Sequence, residues 1–464
     1  MIDSAPMRRR PYLALRRRTV LTAGIAAAGT LLVPDAVRAA PRPPSARDSD
    51  PPIRYTACTG SHQWRAGQPH GVRVLPGRRA GITIGHPAGT TSYTDPYSGT
   101  TGEWEYATWT SPSYPLGFAA SELVASWNAD TPPDTWLQVE LHGTYSDGST
   151  TPWYVMGRWA YADGDVKRTS VDGQQDPYAG IYTDTFAVDA DDAAAGIGLV
   201  SYRLRATLYR TPGSRTSPRL FRLGAFASTI PPRFEVPASV PGLRRQVELR
   251  VPRYSQQIHA GQYPEYDNGG EAWCSPTSVE MLIEYWGKRP TAAQLAWVDP
   301  AYADPQVDYA ARYTYDYAYE GTGNWPFNAA YAAAWGGLDA IVTQLGSLND
   351  AERLVARGIP VVCSLSFYDS ELDGAGYSSA GHLLDIIGFT AGGDVIVNDP
   401  FSPRDDAVRH VYDRRQFETV WLRTQRHLTN GKTGSGSGGV VYLIKPFHLP
   451  WPAATPGRPQ RWGD

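Results

Sequence analysis

The chain is 464 residues long with 42% apolar and 19% charged residues, which excludes a mini-protein, a collagen and a wholly disordered chain and fits two or three domains. Its 46 Gly and 39 Pro stay below low-complexity levels and are compatible with many turns between strands. The first 39 residues hold seven Arg and two Asp, so without them the formal net charge moves from −3 to −8, which argues against a nucleic-acid partner.

In chain order, Arg17-Arg18-Thr19-Val20-Leu21 precedes an apolar run from Ala23 to Val33 and a small-residue site at Val37-Arg38-Ala39. This resembles a twin-arginine signal peptide, with residues 1–39 removed on export. The run is shorter than the roughly 20 residues of a spanning helix, so no membrane span is expected after cleavage. The expected location is secreted, extracellular or wall-associated. Twin-arginine export moves folded proteins, which suits a chain with only Cys58, Cys274 and Cys363.

Residues 40–53 are polar and Pro-rich and read as an extended tether. From 54 to 230 short alternating stretches dominate. Leu137, Val139 and Leu141 share one face while Gln138, Glu140 and His142 share the other, and Tyr202, Leu204, Ala206 and Leu208 repeat the pattern. Turn clusters such as Ser146-Asp147-Gly148-Ser149 separate them, predicting an all-β sandwich of jelly-roll type. It carries Trp64, Trp104, Trp109, Trp127, Trp136, Trp153 and Trp159, open to two roles: packing, or a platform for glycan contact. Cys58 and His62 lack the further ligands a metal needs, so neither metal nor cofactor is expected.

A second proline-rich linker, 231–245, leads into an α+β domain over 246–447, followed by a tail, 448–464. Helices are predicted over 276–286, 291–298, 326–335 and 347–357, and strands over 359–367, 382–389, 394–398 and 440–445. Six tyrosines between 302 and 319 could line a groove or simply pack.

Chemistry concentrates in this second domain. Cys274-Ser275-Pro276 precedes the first helix, placing a sulfur at a helix N-terminus, where unpaired N–H groups and the dipole favour a thiolate. His382 opens an apolar strand and is the candidate general base and acid. The next strand ends at Asn398-Asp399-Pro400, and a hairpin would return one of these side chains to the imidazole. Alternation admits only one, with Asp399 favoured over Asn398. Gln256 offers an amide that, beside the Cys274 backbone N–H, could hold an oxyanion. Cys363 lies inside an apolar strand and reads as core.

The stretches Val251-Pro252, Tyr254-Ser255-Gln256, Trp273-Cys274-Ser275-Pro276-Thr277-Ser278, Tyr285-Trp286-Gly287, Gly381-His382 and Asp399-Pro400 together resemble the bacteriocin-processing, double-glycine-leader peptidases, and more narrowly their secreted, stand-alone branch. The resemblance implies a papain-like cysteine peptidase domain with Cys274 as nucleophile, His382 as base and acid, Asp399 as orienting residue and Gln256 as oxyanion donor. The family commonly has Gly after the nucleophile; Ser275 stands there. The expected function is exported hydrolysis of peptide or related amide bonds, acting on a peptide or cell-wall substrate. The alternative is a non-catalytic wall- or peptide-binding protein in which the papain-like domain is a scaffold.

Overall fold

The structure is a computed structural model that describes residues 52–453 and 461–463. The expected signal peptide, most of the first tether and part of the tail lie outside the described residues.

Strand alternation builds the N-terminal unit. Leu137, Val139 and Leu141 are fully buried, and the antiparallel register sets them opposite Leu208, Ala206 and Leu204. On the other face of the same ladder Arg205 makes a bidentate pair with Glu140, at 2.7 and 2.6 Å. Period-two burial of this kind yields sheets with one core face. Two open seven-stranded sheets result. One is centred on Glu122–Asp130 and Arg219–Ser228, the other on Thr135–Tyr145 and Leu199–Arg210.

The C-terminal unit has a third antiparallel sheet, in the order Leu338–Gln344, Val440–Pro446, Val361–Phe367, Ser379–Phe389, Val395–Asn398, Arg409–Tyr412, with Val247–Glu248 on Ser379–Phe389. Helix Cys274–Tyr285 packs on the Ser379–Phe389 strand, its Val279, Met281, Leu282 and Ile283 fully buried. Gly287 follows in the left-handed region, φ 71°, and ends it. The other predicted helices form as Ala292–Leu295, Trp325–Ala334 and Leu348–Val355. Helices Pro305–Thr314 and Arg414–Leu422 and strands Leu338–Gln344 and Arg409–Tyr412 are additions to the sequence reading.

The two units share one apolar core. Helix Trp325–Ala334 and strand Leu338–Gln344 pack on sandwich strand Glu122–Asp130, and Phe327 sits between Trp127 and Trp159 with ring centroids at 6.1 and 5.5 Å. Arg222 grips Asp339 across the seam through two hydrogen bonds, at 2.9 and 2.8 Å. Arg168, fully buried, donates to the carbonyls of Ala160, Tyr161 and Arg312, tying the tyrosine-rich segment to the sandwich. That segment therefore packs between the units: Tyr313 stacks on Tyr161 at 5.1 Å, and the hydroxyls of Tyr309 and Tyr161 meet at 3.1 Å. Six of the seven sandwich tryptophans are buried; Trp153 alone is half-buried.

The second proline-rich linker is a pinned strap. Arg233 donates to Leu422 O, Ser239 N–H to Glu418 and Gly242 N–H to Glu352. The end of the tail is buried at Arg461 and Trp462, with Thr343 Oγ1 donating to Arg461 O.

Candidate active site

Cys274 is the first residue of its helix and is half-buried. Its N–H is one of those a helix leaves without an intrahelical partner. The start of the helix is held from both sides. Trp273, fully buried, donates its indole N–H to Tyr266 O at 2.5 Å, and Ser275 Oγ meets the hydroxyl of Tyr442 at 3.0 Å.

His382 lies in strand Ser379–Phe389, opposite Leu365, and is 2% exposed. Its Nε2 meets Asp399 Oδ1 at 2.8 Å. The Cys274 sulfur lies near enough to the ring to act on its charge. Burial pushes the imidazole pKa down, but the Asp399 carboxylate and the Cys274 sulfur outweigh it and lift it to about 10.

Asp399 is saturated with donors. Besides His382, its Oδ1 accepts the Phe401 N–H at 3.1 Å, and its Oδ2 accepts the hydroxyls of Tyr377 and Tyr412 at 2.8 and 2.9 Å. Burial alone would raise this carboxyl; the imidazolium and the two phenols overcome it and bring it to about 2. Asn398, the rival third member, turns away, its Nδ2 donating to Pro252 O at 2.8 Å.

Cys274, His382 and Asp399 thus converge. Gln256 is anchored beside them, its N–H bonded to Pro400 O at 2.8 Å, yet the oxyanion role expected for it needs correcting. Both hydrogens of its side-chain amide are taken, donating to Gly270 O and Glu271 O at 2.9 Å each. An amide nitrogen has only two hydrogens, and the reversed amide would set oxygen against two carbonyls. Gln256 therefore closes the looped excursion of residues 257–273 and brings its end back to the nucleophile. Gly270 permits that closure, because a Cβ there would sit 2.2 Å from Gln256 O.

Sequence reasoning missed Tyr377, Tyr412 and the Phe401 N–H. Tyr377 lies in a Gly-Tyr-Ser-Ser turn and Tyr412 ends a short strand, and no spacing links either to Asp399. The Phe401 contact was legible, since an Asp-Pro-Phe turn lets a carboxylate accept the N–H two residues on.

Comparison with known families gives the same address. Residues 54–228 match the model described as the Peptidase C39 N-terminal domain, and residues 248–428 match the Peptidase C39-like family. The second unit is thus similar to the C39-like peptidases. A solved structure described as C39-like, from Bacillus anthracis, is 16% identical over 43% of this chain and 98% of its own, with a TM-score of 0.24, too low to bear on the geometry. No curated protein matches the chain significantly. Among the described residues, no group of three His, Cys, Asp or Glu is arranged to hold a metal ion, and no helix is long and apolar enough to cross a membrane.

Proposed function

We propose that the chain is an exported, thiol-dependent hydrolase of peptide or related amide bonds, working through Cys274, His382 and Asp399. The observation that carries this reading is the buried His382–Asp399 bond at 2.8 Å, which occupies Nε2 and leaves Nδ1 for the Cys274 sulfur. Asp399 fixes the ring tautomer and orientation and favours the imidazolium.

The thiolate attacks the substrate carbonyl carbon, the C–N bond breaks, and the imidazolium proton passes to the leaving amine, giving a thioester. Neutral His382 then takes a proton from water as the oxygen attacks the thioester, the C–S bond breaks, and the starting pair is restored. The N–H groups at the start of helix Cys274–Tyr285 face the developing oxyanion. Export rests on the Arg17-Arg18 segment and its apolar run. The largely buried tryptophans favour support over glycan contact for the sandwich.

A peptide library digested with the full mature chain and with Cys274→Ser tests the proposal. Cleavage products from the wild type alone are expected; equal products from both, or none from either, would overturn it.

A further inference from the structure

Beneath the nucleophile helix lies a carboxyl for which the chemistry above has no use. Asp385 is fully buried in strand Ser379–Phe389, and neither of its oxygens meets a hydrogen-bond donor. Its direct partner across the antiparallel ladder is Asn398. Residues so opposed present their side chains on one face, with Cβ atoms about 5 Å apart. The Asn398 amide is oriented by Pro252, whose carbonyl can accept only from Nδ2, at 2.8 Å. That leaves Asn398 Oδ1 buried and, like the carboxyl beside it, without a donor.

The same row of the sheet continues through Val362 to Tyr442, whose hydroxyl meets Ser275 on the nucleophile helix, and Asn398 Nδ2 approaches Met281 Sδ of that helix at 3.7 Å. Asp385 and Asn398 are therefore enclosed between helix and sheet, where an ionised carboxylate without donors is strongly disfavoured. A single proton answers both deficits, because a neutral carboxyl has one O–H to give and Asn398 Oδ1 lacks one.

We propose that Asp385 is held as a neutral acid and donates its O–H to Asn398 Oδ1, acting as a positioning residue for Asp399 and for the segment leading to Gln256. Asn398 precedes Asp399 in the chain, and its other end holds Pro252, four residues before Gln256. Fixing this amide thus fixes two sides of the active site at once. Burial pushes the Asp385 carboxyl far up and the negative charge of Asp399 adds to it, while His382 works the other way. Cys363, pushed up by burial and by Asp385, brings no cation. Ser275, Ser278 and Met281 on the helix are uncharged, and Arg409, beyond Asn398, is committed to Glu248 at 2.7 and 2.9 Å.

The consequence for turnover rests on the proposed function; the protonation state does not. Three measurements on the full chain separate them. In the infrared difference spectrum of wild type against Asp385→Asn at pH 7, the carbonyl stretch of a protonated carboxylic acid is expected; a carboxylate band instead overturns the proposal. The folded state keeps a proton that the unfolded chain releases above about pH 3.9, so the wild-type folding constant relative to Asp385→Asn should fall about tenfold per pH unit above pH 5. A pH-independent ratio overturns the proposal. Asp385→Leu, which cannot donate, should slow Cys274 alkylation at least several-fold and shift its pH profile, and Asp385→Asn should restore both. A wild-type profile in Asp385→Leu removes the positioning role even where the acid is neutral. If the leucine variant does not fold, the spectrum and the pH series still decide. A Cys274 without enhanced reactivity in wild type defeats the hydrolase reading while leaving the infrared result standing.

Discussion

Asp399→Asn removes one charge from the active site with almost no change of shape. The amide oxygen still accepts from His382 Nε2, and the amide NH2 replaces the Oδ2 that faces the hydroxyls of Tyr377 and Tyr412, either of which can turn to accept. What disappears is the anion that, together with the Cys274 sulfur, holds the imidazole at about 10 against its ordinary 6.5, a joint effect on the order of 5 kcal/mol in favour of the cation. Burial is then opposed by the Cys274 sulfur alone, and the ring pKa falls from about 10. Turnover of a cleaved peptide should fall about 10²–10⁴-fold, the contribution of a positioned acid–base group. The alkaline limb of its pH profile should move down from about 10. Unfolding gives a second readout. The raised His382 contributes stability that is complete below about pH 6.5 and lost as pH rises through about 10, whereas the lowered Asp399 contributes stability that is present above about 3.8 and lost as pH falls through about 2. The stability gap between wild type and variant should therefore be widest between about pH 4 and 6.5 and narrow on both sides. An unchanged alkaline limb, or a gap that does not vary with pH, would refute the assignment of Asp399.

Further outcomes follow from the same contacts. Tyr377→Phe and Tyr412→Phe each remove one hydrogen bond to a buried carboxylate, about 1.5–3 kcal/mol, and should raise the Asp399 pKa, seen as acid unfolding at a higher pH. Gln256→Ala leaves Glu271 O without its donor, at about 1–3 kcal/mol, and removes one of two donors to Gly270 O, so it should lower the unfolding temperature as well as turnover; a pure loss of kcat with unchanged stability would instead favour a direct oxyanion contact. Arg168→Met leaves three carbonyls without their buried donor, while Asp163 keeps Arg312 at 2.6 Å, and should cost about 3 kcal/mol or more by denaturant titration. A near-neutral result would contradict the load assigned to the seam between the units.

The parts of the fold that were legible are those with one buried face. The period-two stretches around Leu137 and Leu204 and the helical spacing of Val279, Leu282 and Ile283 became strands and a helix as expected. Helix Pro305–Thr314 has Gln306 and Asp308 buried along with Val307, Tyr309, Ala310 and Ala311, and strand Leu338–Gln344 is buried at every position. With no solvent face there is no contrast for periodicity to register. Helix Arg414–Leu422 did carry a signal: Asp413 accepts the N–H groups of Arg415 and Gln416 just before an apolar 417–422 stripe. At the candidate site Cys274 begins a helix and Asp399 follows the end of a strand, positions legible from spacing, and His382 meets Asp399 at 2.8 Å from within its own strand. The sequence could not reveal that the Gln256 amide spends both hydrogens on the loop it closes, since hydrogen-bond partners fourteen and fifteen residues apart leave no pattern in composition or spacing.

The most direct test of the central claim is the reactivity of one sulfur. The folded chain, treated at neutral pH with a limiting amount of iodoacetamide and mapped by mass spectrometry, should be alkylated at Cys274 faster than a free model thiol, while the buried Cys58 and Cys363 stay unmodified. His382→Ala should reduce that rate to the model thiol's or below. A Cys274 that reacts no faster than the model thiol, or equally fast with and without His382, would contradict the account.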